Sequence, residues 1–241
     1  MDEQYYEQLI MIKHAIILAA GLGKRMLPLT NELPKPMVKI RGKPIIKHLI
    51  DLLDQIGIEK ICVNVHYKSE LFSDYLQSIQ SKKILISDET NELLDTGGGI
   101  KKAFDLLEEE NSFVFNSDIL WNDIHAEQLK NMSEKFNTQD MDAFLGLSHI
   151  NKLKGYDGLG DFCFTDSQIV ERYKQGNENP YVYSGVQIIK KNLLNSISEA
   201  VFSVNIAWDI AIKSNTLYGF KLEHQIKHIG TTKMVEKVNE E

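Results

Sequence analysis

The sequence predicts a doubly wound α/β fold: a mixed, mainly parallel sheet flanked by helices. Three observations predict it. Apolar runs alternate with amphipathic segments through the first half, the pattern of a parallel sheet covered by helices. The first run, from His14 to Ala19, is continuous and stops near Gly21, as a strand buried on both faces does. From about Met141 strand-like segments follow one another with only short turns, which adds a more antiparallel portion to the same sheet.

After that first strand a loop runs to Lys43. Pro44 stands at a natural first helical position, and Ile45, Ile46, Leu49, Ile50, Leu52, Leu53 and Ile56 form an apolar stripe ended by Gly57. Lys60 to Val65 reads as the next strand, Ser69 to Ile79 as a helix with Ser69 as N-cap, and Lys83 to Ile86 as a third strand. Gly99 to Glu109 reads as helix and Ser112 to Phe115 as a strand running into Asn116-Ser-Asp118. In the second half, Ala143 to His149, Gly160 to Thr165, Gln168 to Tyr173 and Tyr181 to Ile189 read as strands, with helices from Lys190 to about Ser198 and Ile206 to Lys213, and a polar end from Thr232 to Glu241. No repeat or long linker interrupts the chain, so one domain over 1–241 is expected, with a first half at 12–140 and a more antiparallel second half at 141–231.

The composition excludes several classes. Lys and Arg total 27 against 34 Asp and Glu, a formal charge of -7, so the broad positive field of a nucleic-acid-coating protein is absent. The run from Ala15 to Ala20 is far shorter than the roughly 20 residues of a membrane helix. The start, MDEQYYEQL, carries acids and tyrosines where a signal peptide carries positive charge, so a cytoplasmic protein is expected. Cys62 and Cys163 have no CxxC partner, and the histidines form no HExxH or HxxxH pattern, so neither a disulfide framework nor a zinc site is expected. No GxSxG elbow or Cys-His nucleophile setting is present either.

The chemistry concentrates in LAAGLGKRMLPLTNELPKPM, Leu18 to Met37. Gly21 and Gly23 follow a buried strand and let backbone N–H groups approach an anion closely. Lys24, Arg25 and Lys35 add three cations against one acid, Glu32, and Lys35 is held between Pro34 and Pro36. Such a loop suits a polyphosphate. It is neither a Walker A loop, because Gly23 is followed by Lys24-Arg25, nor a dinucleotide fingerprint, because Met26 stands where the third glycine belongs.

This string resembles the signature of the sugar-1-phosphate nucleotidyltransferases. The short length, the DTGGGIKKA segment at 95–103 and the lack of a C-terminal β-helix are most similar to the branch of N-acetylmuramate-1-phosphate uridylyltransferases and mannose-1-phosphate guanylyltransferases. The resemblance implies a Rossmann-like nucleotide-diphospho-sugar transferase fold and an enzyme that joins an NTP to a sugar 1-phosphate, releasing pyrophosphate. It implies that Leu18, Ala20, Gly21, Gly23, Lys24 and Arg25 grip the nucleotide and that Lys35 stabilises charge between the two phosphates. Thr96, Gly97 and Gly98 would meet the base and ribose, although the glycines alone read equally as a plain turn before a helix. Asn64 would help read the base, and Glu171 and Gly185 would line the sugar site. Asp118 is the first candidate ligand for Mg²⁺, a hard cation that prefers oxygen; Asp123 is weaker, since a helix N-cap explains it as well. The implied partners are small-molecule substrates, with no nucleic acid and no membrane, for a monomer or homodimer.

One segment departs from the family pattern. Where the family carries a second metal-binding aspartate, Ile226-Lys-His-Ile-Gly-Thr-Thr232 has His228. Imidazole is a poor Mg²⁺ ligand. Three alternatives stay open: one carboxylate suffices, Asp209 moves in, or His228 ligates a softer ion such as Mn²⁺. A structural histidine is the fourth reading. Two rival functions remain beside the main one, a cytidylyltransferase acting on phosphocholine or a similar alcohol phosphate, and a catalytically weak nucleotide-sugar-binding regulator.

Overall fold

The computed structural model describes residues 11–79, 83–165, 168–176 and 180–241; the acidic start at 1–10 lies outside the described residues. Strand β1 (His14–Leu18) leads into a loop that holds three single-turn 3-10 helices, at Lys24–Met26, Leu29–Asn31 and Lys35–Met37. A small hairpin of β2 (Lys39–Ile40) and β3 (Lys43–Pro44) then feeds α1 (Ile45–Gln55). The alternation continues through β4 (Lys60–Val65), α2 (Ser69–Ser78), β5 (Ile84–Asp88), α3 (Asp95–Leu107) and β6 (Asn111–Asn116). After β7 (Ile119–Leu120) and α4 (Ala126–Lys135) come β8 (Ala143–His149), β9 (Leu153–Lys154), β10 (Phe162–Phe164), β11 (Val170–Arg172) and β12 (Tyr181–Lys190). The chain closes with α5 (Lys191–Asn195), α6 (Val204–Lys213), β13 (Leu217–Leu222), β14 (Ile226–His228) and α7 (Thr232–Glu240).

Among the described residues, nine strands form one sheet in the order β11-β10-β12-β6-β1-β4-β5, with β8 and β13 branching from β12. Strand β1 lies parallel between β4 and β6, and β12 runs antiparallel to β6. The predicted mixed, mainly parallel sheet is therefore present. Its central strands β1, β4 and β6 are largely apolar because both faces are covered. Within β1, Ala15 and Ile17 point to the cluster built with α1, α2 and α4, whereas Ile16 points to the cluster built with α3, α5 and α6. Each fully buried aliphatic of this kind contributes about 1.5–3 kcal/mol against the entropy of ordering the chain.

Several elements differ from the sequence expectation, each for a local reason. Ser69 is the first residue of α2 rather than its cap; Lys68 caps the helix in the left-handed region at φ 51° with no side-chain hydrogen bond. Helix α3 starts at Asp95, so the three glycines belong to its first turns rather than to a preceding turn. The polar end is helix α7, which buries Met234, Val235 and Val238 against Met26, Val38, Ile40 and Ile229. These apolar residues are sparse among charges, but their i, i+1, i+4 spacing makes one face. That face lies under the loop at 18–37 and so supports it from below.

Parallel strands put their C-terminal ends on one edge. Leu18, Val65, Asp88 and Asn116 end β1, β4, β5 and β6 there, and the crevice outside those ends is where open α/β sheets bind ligands.

Candidate active site

The loop after β1 is shaped by its neighbours. Asn64 Oδ1 accepts hydrogen bonds from the backbone N–H groups of Ala19, at 2.5 Å, and Ala20, at 3.2 Å. Its Nδ2 donates to Glu89 Oε1 at 2.7 Å, and Glu89 Oε2 accepts from Leu94 N–H at 3.2 Å. Asn64 and Glu89 are 3% and 2% exposed, so this polar chain is interior and holds the loop to the start of α3. Asn64 lines the cavity described below, with its carbonyl serving the loop backbone and its amide serving Glu89. Gly23 takes φ 65°, and a Cβ there would lie 3.0 Å from Thr30 Cγ2, so the turn and the close approach both require glycine. Lys24 and Arg25 are exposed on the turn that follows and make no ion pair among the described residues.

Asp118 lies just past β6, in the link to β7. Its carbonyl accepts from Ile229 N–H at 2.7 Å, which pins β14 beside it. On the side chain, Lys35 Nζ donates to Oδ2 at 2.7 Å and His228 Nε2 lies 3.1 Å from the same oxygen. The Lys35 and Asp118 side chains are 12% and 22% exposed. Burial pushes the Asp118 carboxyl up, but the His228 hydrogen bond and the Lys35 ammonium outweigh it, so the group stays well below the usual carboxylate range. His228 Nδ1 lies 3.4 Å from the Gly155 carbonyl. An oxygen thus faces each ring nitrogen of His228.

These groups surround one cavity of about 640 Å³, within the size range of small-molecule sites. Its wall includes Leu18, Ala20, Gly21, Gly23, Lys24 and Arg25 from the loop, then Lys35, Asn64, Glu89, Thr96 and Asp118. The structure therefore brings together most of the residues singled out in the sequence. Gly97 and Gly98 stand apart from that wall. Their N–H groups donate to the Phe202 carbonyl at 2.8 and 3.2 Å, and a Cβ on Gly98 would fall 2.2 Å from the Ala200 carbonyl oxygen. The glycines are explained by a close approach of the 200–202 segment, not by a base lying on them. Thr96 remains at the wall, its Oγ1 accepting from Val204 N–H at 2.9 Å. A Cβ on Gly21, by contrast, meets nothing within 4 Å. Gly98→Ala is therefore expected to cost about 2–3 kcal/mol, lowering Tm by roughly 5–10 °C, while Gly21→Ala leaves Tm unchanged; thermal unfolding of both variants checks the contrast.

The remaining candidates lie elsewhere. Asp209 is exposed on α6 and accepts from Arg172 Nε at 2.9 Å, so the expectation that it joins Asp118 as a ligand is corrected: the helix turns it toward β11. Glu171 sits on β11 opposite Cys163 in β10 and does not line the cavity. Gly185 lies in an irregularity of β12, between Tyr183 and Gln187, and backs Asn116 and Ile119. Asp123 does not cap its helix; Asn122 does, in a reciprocal box with His125. Glu89 was not anticipated from the sequence, although an acid directly after the β5 strand, at the ligand edge of the sheet, is the signal that points to it.

Among the described residues no group of three or more His, Cys, Asp or Glu side chains is close enough to hold a metal. Lys35 and His228 both engage Oδ2, which leaves Asp118 Oδ1 without a protein partner among the described residues. This donor set fits a hard cation that takes one protein carboxylate and fills its remaining positions with phosphate oxygens and water; it does not fit a cage of protein ligands.

Comparison with known proteins identifies the family. The family model described as nucleotidyl transferase matches residues 14–175. The chain is 34% identical over 222 residues to N-acetylmuramate alpha-1-phosphate uridylyltransferase of Caulobacter vibrioides, covering 90% of this chain and 92% of the relative. It is 31% identical over 188 residues to D-glycero-alpha-D-manno-heptose 1-phosphate guanylyltransferase of Aneurinibacillus thermoaerophilus, covering 77% and 79%. The fold resembles the crystal structure of HddC from Yersinia pseudotuberculosis complexed with GMP-PN, with TM-score 0.74 and 24% identity over 95% of this chain and 99% of that one. No helix among the described residues is long and apolar enough to cross a membrane. With its match to the family model and its similarity to relatives along most of their length, the chain belongs to the nucleotidyl transferase family of enzymes.

Proposed function

We propose that this protein transfers a nucleoside monophosphate from an NTP to a sugar 1-phosphate, giving an NDP-sugar and pyrophosphate. The observation that carries the reading is the convergence of Lys35 and Asp118, 2.7 Å apart, on the cavity lined by the glycine-cation loop. The relatives named above supply the substrate class. Because the relative from Caulobacter vibrioides aligns with 90% of this chain, UTP with N-acetylmuramate 1-phosphate is the pair to test first.

A phosphate oxygen of the sugar attacks the α-phosphorus, the bond to the β-bridging oxygen breaks, and pyrophosphate leaves with that electron pair. Two anions must meet, so fixed cations lower the barrier most. Backbone N–H groups from Gly21 to Gly23, with Lys24 and Arg25, receive the leaving pyrophosphate. Lys35 stands where charge develops between the two phosphates, and Asp118 keeps its ammonium aimed there. Asp118 would hold a divalent cation such as Mg²⁺, which when bound would supply further neutralisation of phosphate charge. His228 orients Asp118 through Oδ2.

The test is a panel of the four NTPs against several sugar 1-phosphates, read by pyrophosphate release with Mg²⁺ and with Mn²⁺. Release that needs both an NTP and a sugar 1-phosphate is expected. Nucleotide-sugar binding with no release from any pair would instead favour a regulatory binding protein.

A further inference from the structure

We propose that Tyr67 is a positioning residue for the nucleotide, holding the far turn of the 18–37 loop in the shape that meets the triphosphate. The inference rests on the reading of that loop as the phosphate-binding element. The segment at 20–25 is largely exposed and contains only one 3-10 turn, so its shape must be imposed by contacts from outside it. Two such contacts come from the C-terminal end of β4. Asn64 holds the near end, at Ala19 and Ala20. Tyr67, three residues on, holds the far end: its hydroxyl donates to the Thr30 carbonyl at 2.9 Å.

Thr30 passes this restraint on. It is 1% exposed, and its Oγ1 donates to the Gly23 carbonyl at 2.9 Å. The same carbonyl accepts from Met26 N–H at 2.9 Å, closing the turn that carries Lys24 and Arg25. Because a Cβ on Gly23 would already lie 3.0 Å from Thr30 Cγ2, Gly23 and Thr30 are packed together and move as a unit. Tyr67 is steadied in turn by its neighbour His66, whose Nδ1 lies 2.7 Å from the Glu89 carbonyl. Tyr67 does not line the cavity, so any effect on the nucleotide passes through Thr30 and Gly23. A loop fixed before binding loses less freedom on binding, and that saving appears as affinity.

The test is Tyr67→Phe, which keeps the ring and removes the hydroxyl. Its readouts are hydrogen exchange of residues 20–31, calorimetric titration with tripolyphosphate, and steady-state kinetics. Faster exchange confined to 20–31 is expected, with tripolyphosphate bound about five- to tenfold more weakly, as for one lost hydrogen bond. KM for the NTP rises by a similar factor, while kcat and KM for the sugar 1-phosphate stay within about twofold. Thr30→Val, which removes the other link and keeps Tyr67, should give the same split, and it stands in if Tyr67→Phe fails to fold. Unchanged exchange or unchanged tripolyphosphate affinity in Tyr67→Phe would overturn the proposal, as would equal rises in both KM values. If the wild-type protein binds no tripolyphosphate, the phosphate reading of the loop falls and the proposal falls with it; the two failures are distinguishable because the first is read in Tyr67→Phe against a wild-type protein that binds, and the second in the wild-type protein itself.

Discussion

Lys35→Ala is expected to lower kcat by about 10²- to 10³-fold while the protein keeps its fold, the magnitude typical of removing one preorganised charge-stabilising group. Lys35 is suited to such a role because its position is fixed before substrate arrives. It opens a 3-10 turn between Pro34 and Pro36, its carbonyl accepts from Val38 N–H at 3.1 Å, and its ammonium is tied to Asp118 at 2.7 Å. A cation held in this way needs no reorganisation when negative charge develops beside it. The cost to folding is small: the ion pair keeps 12% and 22% side-chain exposure, and His228 still reaches Asp118 when Lys35 is gone. A partly exposed pair of this kind contributes about 1 kcal/mol or less, which shifts Tm by no more than roughly 2–4 °C. Lys24→Ala provides the contrast. Lys24 is exposed and has no ion pair among the described residues, so its loss should raise KM for the NTP several-fold, at about 1 kcal/mol, and leave kcat nearly intact. Steady-state kinetics on the two variants, with Tm measured on the same preparations, checks the ordering.

Asp118→Asn is the second large effect. Two donors, Lys35 Nζ and His228 Nε2, converge on Oδ2, and an amide can offer them an oxygen but no charge. The ammonium of Lys35 is then held less firmly, and the carboxylate beside it is no longer available to a cation, so kcat should again fall by about 10²-fold or more. The pH dependence of stability has a defined sign. The folded carboxyl lies below its ordinary range, since the His228 hydrogen bond and the Lys35 charge together exceed the upward push of burial. A depressed folded value contributes stability that is fully present above the unfolded carboxylate pKa, about 4, and is lost as pH falls toward the folded value. The stability difference between wild type and Asp118→Asn should therefore be constant near neutrality and narrow progressively below pH ~4. Denaturant titrations at several pH values measure it; a difference that widened in acid would contradict the arrangement at Asp118.

The legible part of the molecule is the part where function needs a continuous string. Strand β1 and the loop after it occupy adjacent positions, so their apolar run, glycines and cations are visible together, and Gly21, Gly23, Lys24, Arg25 and Lys35 do meet in one cavity. Asp118 was singled out by the family resemblance, and it lies just past β6 at the ligand edge of the sheet. What was not legible depends on contacts between distant segments. The pairing of Asp118 with His228 arises from β14 lying antiparallel to β7, with His228 opposite Ile119, a register set by tertiary packing. The glycines at 97 and 98 carry no mark that distinguishes a ligand from the 200–202 backbone as the group that comes close. Asp209 was misplaced because a helix can turn an acid toward any neighbour, and here it meets Arg172. Tyr67 and Glu89 act through hydrogen bonds between separate segments, which leave no spacing pattern. Helix α7 was read as a polar end because its three buried residues are outnumbered by charges.

The central claim is that the α-phosphorus of an NTP is transferred to a sugar 1-phosphate at the Lys35–Asp118 pair. The most direct measurement supplies an NTP labelled in its α-phosphate together with a sugar 1-phosphate and follows the label. Label appearing in an NDP-sugar, with one pyrophosphate released per product and the conversion strongly reduced in Lys35→Ala, is the predicted result. Label recovered as NDP, as free NMP, or only in unreacted NTP across all pairs would contradict it.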